Sequence, residues 1–133
     1  DLTFEADVRS GTTVVFGKGD RITNSPKQTI GVLADYRIPL GDYTARLSGA
    51  LSYVSAREVR GLVEGRSIVA SSDDLVTART SLALESPNGW SASLLGDNLT
   101  NNHGSPVPEA IASPGGKVRL RPRVIGLQLE GHF

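Results

Sequence analysis

Apolar and polar residues alternate along most of this chain with a period of two, the repeat of a strand whose faces meet different surroundings. Segment 43–54 carries the pattern most cleanly. Tyr43, Ala45, Leu47, Gly49, Leu51 and Tyr53 share one parity, and Thr44, Arg46, Ser48, Ala50 and Ser52 share the other. Segment 29–38 sets Ile30, Val32, Ala34, Tyr36 and Ile38 against Asp35 and Arg37. Segment 75–86 sets Val76, Ala78, Thr80, Leu82 and Leu84 against Thr77, Arg79, Ser81 and Glu85. Trp90, Ala92, Leu94 and Gly96 oppose Ser91, Ser93 and Asp97. In the last segment Ile125, Leu127, Leu129 and Phe133 oppose Gln128, Glu130 and His132. No stretch sustains helical periodicity, so the chain is expected to be all-β.

Charge placement sharpens the pattern. Asp35, Arg37, Arg46, Arg79, Glu85, Asp97 and Glu130 all lie opposite the apolar set, with Arg123 the exception at the start of its segment. Leu33, Val54, Leu75 and Leu95 interrupt the polar parity. A one-residue slip in any segment would exchange its faces.

The connections fall into two classes. Pro39-Leu40-Gly41-Asp42 and Pro87-Asn88-Gly89 read as tight turns, whereas Ser55 to Asp74 and Asn101 to Arg121 read as long polar links. Near the N-terminus, Leu2–Arg9 and Thr12–Phe16 are expected to form a hairpin about Ser10-Gly11. Short turns at one rim and long loops at the other describe an antiparallel up-and-down meander of about six or seven strands, the plan of an outer-membrane barrel.

Soluble β-sandwiches show the same alternation and are far commoner, so the choice needs further signals. Tyr43 and Tyr53 share a parity, and their separation at about 3.3 Å per residue and a tilt of about 40° projects to about 25 Å, the height of the apolar band between aromatic girdles. Trp90 and Phe133 complete the candidate girdle. Segments 29–38, 43–54 and 75–86 are about twice the usual strand of ~5–6 residues. The chain also ends within its last strand, on Phe133.

Composition narrows the field further. Fourteen basic residues balance 14 acidic ones without a block of either sign, which argues against a nucleic-acid surface. Cysteine is absent, removing thiolate catalysis and thiolate metal sites. No apolar run is long enough for a transmembrane helix. No signal peptide is legible, so an export address is expected upstream of Asp1.

Trp90 to Asn102, with Asn98-Leu99-Thr100-Asn101 at its end, resembles the penultimate-strand motif of TonB-dependent outer-membrane receptors. Pro122-Arg123 through Gly126 to Phe133 is similar to that family's final strand, and Asn24-Ser25-Pro26-Lys27 and the strand closing at Tyr53 match further family features. Together these span Asp20 to Phe133, with Gly131 standing where the family usually has an apolar residue. The resemblance implies a closed barrel of about 22 strands, filled by an N-terminal plug and energised by the TonB complex of the inner membrane. Residues 1–133 would form its C-terminal portion, with the plug and earlier strands upstream. It also implies import of a ferric siderophore, another metal chelate, cobalamin or an oligosaccharide, and reading of Phe133 by the barrel assembly machinery as an assembly signal. A small porin-like or structural outer-membrane barrel and a soluble β-sandwich binding module are the alternatives.

Under this scheme Asp35, Arg37, Arg46, Arg79, Glu85 and Asp97 face the lumen and the plug, while the apolar parity faces outer-membrane lipid. Arg119, Arg121 and Arg123 recur at period two, a spacing able to present guanidinium groups to lipopolysaccharide phosphates or simply to anchor an interface. Arg57, Glu58, Arg60, Glu64 and Arg66 read as a solvated loop of mixed charge. No enzyme, metal or cofactor is expected. His103 and His132 lack neighbouring ligands, no serine sits in a nucleophile elbow, and Gly115-Gly116-Lys117 lacks the spacing and helix of a phosphate loop.

Overall fold

The computed structural model describes residues 3–64, 66–109 and 116–131, and every regular element among them is a strand. In chain order these are β1 (Val8–Ser10), β2 (Thr13–Phe16), β3 (Thr29–Leu40), β4 (Tyr43–Val54), β5 (Glu58–Val63), β6 (Arg66–Ser71), β7 (Leu75–Glu85), β8 (Trp90–Asp97) and β9 (Val124–Gly131). A five-stranded sheet runs in the order β3-β4-β7-β8-β9, and β1-β2 and β5-β6 form separate two-stranded sheets. The fold is all-β and antiparallel. It has more strands than the alternation suggests, because the link between β4 and β7 contains its own hairpin.

Two compact units are present. One comprises Ile30–Tyr53, Val76–His103 and Arg121–Phe133, and the other Asp1–Thr29, Val54–Leu75 and Gly104–Leu120. The first holds most of the five-stranded sheet. Its two tight connections are built from turn chemistry. Gly41 has φ 63° in the two-residue loop Gly41-Asp42, the position where a type II′ turn needs glycine. Gly89 has φ 81° and closes the second turn, its N–H donating to Ser86 O at 3.2 Å while Ser86 N donates to Trp90 O at 2.9 Å. The first turn is shorter than expected because β3 continues through Pro39 to Leu40. Pro39 stands near the end of β3, an edge strand among the described strands, where a sheet accommodates proline.

The second unit holds β1, β2, β5 and β6. The N-terminal hairpin forms as expected, but its first strand is only Val8–Ser10, and Leu2 lies outside the described residues. Phe4 and Phe16 stack with centroids 4.8 Å apart. Asp20 fixes this region to β5: its Oδ2 accepts from Gly17 N at 2.8 Å and from Arg60 Nη1 at 2.7 Å. Lys18 N–H, and then the Arg9 guanidinium, hold the Asp7 carboxyl below the usual carboxylate range.

The expectation of a solvated loop over Ser55–Asp74 is corrected by β5 and β6, which pair from Glu58↔Ser71 to Val63↔Arg66. Arg60 reaches Asp20 from this folded hairpin, while Glu64 and Arg66 near its tip stay exposed. Buried serines fasten its base. Ser72 Oγ accepts from Arg57 N at 2.9 Å, and Ser55 Oγ accepts from Gln28 N at 2.9 Å. Beside them, Asp73 Oδ2 accepts from the N–H of buried Ser105 at 2.8 Å.

Packing is the unusual feature. Ala45, 8% exposed, is the only buried hydrophobic residue among those described, and none of their side chains is fully enclosed. Soluble domains gain most of their stability by burying such groups.

Candidate functional site

The register of the large sheet sorts its residues into two faces. Across β7, β8 and β9, Leu82 pairs with Leu94 and Leu94 with Leu127, while Leu84 pairs with Ala92 and Ala92 with Leu129. The intervening rows are Ala83, Ser93 and Gln128, and Glu85, Ser91 and Glu130. The alternation read along each strand therefore also agrees between strands. Leu47, Leu82 and Leu127 are 46%, 49% and 72% exposed, uncovered by any other described residue of this unit.

The polar face carries the charges. Arg46 meets Asp35 through Nε and Nη2, the shortest contact being 3.1 Å, and Arg79 Nη2 lies 3.4 Å from Asp97 Oδ1. Ser48 and Ser81 share a hydroxyl hydrogen bond of 2.6 Å between β4 and β7, and Thr80 Oγ1 donates to Ser48 O at 2.8 Å. Four of the six lumen candidates are thus brought together as two ion pairs. Glu85 stands at the turn rim opposite Ser91, and Arg37 makes no ion pair among the described residues. Both pairs are well exposed and screened by water, so neither adds much to stability. Their placement matters more than their strength, because it puts ionised groups on one face only.

Between the two pairs runs a groove of about 860 Å³, lined by Leu33, Ser48, Ala50, Ser81, Leu95 and Gly126 among others. The individual strands did not reveal this strip. Leu33, 85% exposed, and Leu95 interrupt the polar parity of β3 and β8, and only the strand order brings them into one depression. Glycine at 126 keeps the floor low. The polar face is therefore a wet wall with fixed opposite charges and a shallow apolar strip, suited to lining a passage or seating another surface. Among the described residues no three His, Asp or Glu side chains converge as metal ligands.

Tyr43 and Trp90 each begin a strand after a tight turn, and their rings meet edge to face with centroids 6.0 Å apart. Tyr53 lies at the other end of β4, so this strand carries a tyrosine near each rim. Phe133 and His132, proposed for the girdle, assembly signal and inner face, lie outside the described residues, as does Gly115. Arg119, Arg121 and Arg123 are exposed, but β9 starts only at Val124. They therefore precede the last strand, which was expected to begin at Pro122. Comparison with protein-family models, curated proteins and solved structures finds no match.

Proposed function

We propose that this chain is part of the wall of an outer-membrane β-barrel of the TonB-dependent receptor kind, which imports a scarce nutrient. One observation carries the proposal: an antiparallel sheet with its charges on one face and leucines uncovered on the other. Water penalises the second face, and a sheet surface this apolar is stable when hydrocarbon or another protein layer covers it. In hydrocarbon every backbone polar group needs an internal partner, which favours strands within a closed sheet. The outer strands β3 and β9 would then pair with further strands of the same barrel. The Asn98–Asn101 and Pro122–Gly126 motifs support the receptor family, and the short and long rims support turns facing the periplasm with loops outside.

The orientation is open to labelling in cells. Cysteine placed at Glu64, in the β5–β6 connection, is expected to react with an impermeant maleimide on intact bacteria, and cysteine at Asp42 only after the outer membrane is opened. Recovery of the polypeptide in the soluble periplasmic fraction, with both sites equally reactive, would contradict the assignment. Loss of growth on a single chelated metal, cobalamin or oligosaccharide after deletion would then identify its cargo.

A further inference from the structure

The charges of the polar face leave one basic run unexplained. Arg9, Arg46, Arg60 and Arg79 each meet an aspartate. Arg121 and Arg123 are exposed and meet no acidic side chain among the described residues. In sequence they close a series at successive odd positions, Lys117, Arg119, Arg121 and Arg123, and no acidic residue occurs between Glu109 and Glu130. A chain whose charges otherwise balance therefore concentrates unneutralised cations in one short stretch.

Arg121 and Arg123 stand immediately ahead of β9, at the end of the sheet remote from the tight turns. Their backbone is held in place. Asn98 Nδ2 donates to Arg121 O at 2.7 Å, and Arg123 N donates to Asn101 Oδ1 at 3.3 Å. These two bonds reach the same loop from positions two apart, which is the repeat of an extended chain. Pro122 biases the residue before it, Arg121, toward the same conformation. An extended chain turns alternate side chains to one side, so positions 121 and 123 continue the parity of Ile125, Leu127 and Leu129. Along that side the order is guanidinium groups first and uncovered apolar side chains next. One such step is about 6–7 Å, so Arg123 lies just outside the apolar band.

We propose that Arg121 and Arg123 bind lipid phosphates at the long-loop rim, where an outer membrane presents the phosphorylated sugars of lipopolysaccharide. The proposal rests on the reading of the apolar face as a lipid-facing wall. If that face meets hydrocarbon, the next outward step of the same parity meets headgroups, and phosphate is the anion found there. Guanidinium N–H groups match two phosphate oxygens at once. Basic residues beside an anionic membrane surface add attraction without needing an enclosed pocket. The backbone bonds to Asn98 and Asn101 place both cations before lipid arrives, which lowers the ordering cost of binding. A soluble phosphate has the same charge but no acyl chains to hold it at this depth.

The full chain, reconstituted into phosphatidylcholine vesicles, is titrated with fluorescent lipid A carrying both phosphates or with its dephosphorylated form. Energy transfer to a dye on a single introduced cysteine at Val118 reports binding. The phosphorylated lipid should bind about tenfold or more tightly than the dephosphorylated one. Arg121→Gln with Arg123→Gln should abolish most of that preference. Arg9→Gln with Lys18→Gln removes the same net charge from the N-terminal hairpin and should leave affinity within about twofold. Inorganic phosphate should not displace the lipid. Protease resistance of the unaltered chain in the same vesicles reads insertion separately. A chain that does not enter them sinks the lipid-facing wall and this inference with it. A chain that enters but binds both lipids equally, keeps its preference without the two arginines, or releases lipid A to inorganic phosphate overturns this inference alone.

Discussion

Arginine in place of Leu94 or Leu127 is expected to prevent stable membrane insertion, while arginine one residue away, at Ser93 or Gln128, is expected to be tolerated. Leu94 lies between Leu82 and Leu127 in the middle of its strand. At the bilayer midplane an arginine on the lipid face of a barrel costs about 2–4 kcal/mol. Total stabilities are only about 5–15 kcal/mol, so either substitution removes a large part of the whole. Ser93 and Gln128 share the face that already holds Arg46 and Arg79, and charge there should change stability by no more than about 0.5 kcal/mol. Urea unfolding in phospholipid vesicles, with protease resistance as a second readout, measures both. Equal effects on the two parities would mean that neither face meets hydrocarbon.

The second large effect concerns the chain in water. Ordering a residue costs roughly 1–2 kcal/mol of backbone entropy, and burial of apolar surface at about 25 cal/mol per Å² is the main compensating gain. With Ala45 the only buried hydrophobic residue described, that gain is small here. Two further liabilities are the outer edges of β3 and β9, which offer backbone donors and acceptors to any neighbouring strand. In detergent-free buffer the chain is therefore expected to associate into large species without a cooperative melting transition. Detergent micelles should restore strand circular dichroism and a defined transition. A monomer that melts sharply in buffer would favour a soluble binding module instead.

Much of this architecture was legible locally. The period-two repeat placed β4 at its observed bounds and β3, β7 and β8 close to theirs, because each strand separates two environments along its whole length. The β5–β6 hairpin was not legible. Its strands carry Leu62 and Val63 side by side in one and Ile68 and Val69 in the other, so neither has a clean parity. Its mixed charges also imitate a loop, although Arg60 in fact reaches Asp20. The start of β9 was placed too early because Arg121 to Arg123 are extended in sequence pattern but are held by asparagine side chains instead of a ladder. Of the candidate site, the polar parity named the right face but neither ion pairing nor groove. Asp35 with Arg46, Arg79 with Asp97, and Leu33 in one depression with Leu95 depend on alignment between strands, which alternation within one strand does not contain.

The most direct test of the separation of faces is a spin-label scan of positions 91–95 and 125–130, one cysteine at a time, in the full polypeptide reconstituted into lipid vesicles. Oxygen, which concentrates in hydrocarbon, should broaden labels most at 92, 94, 125, 127 and 129, while a water-soluble nickel chelate should broaden those at 91, 93, 128 and 130. If labels at 94 and 127 proved shielded from both reagents, the leucines would lie beneath another layer of protein and the lipid-facing wall would be excluded.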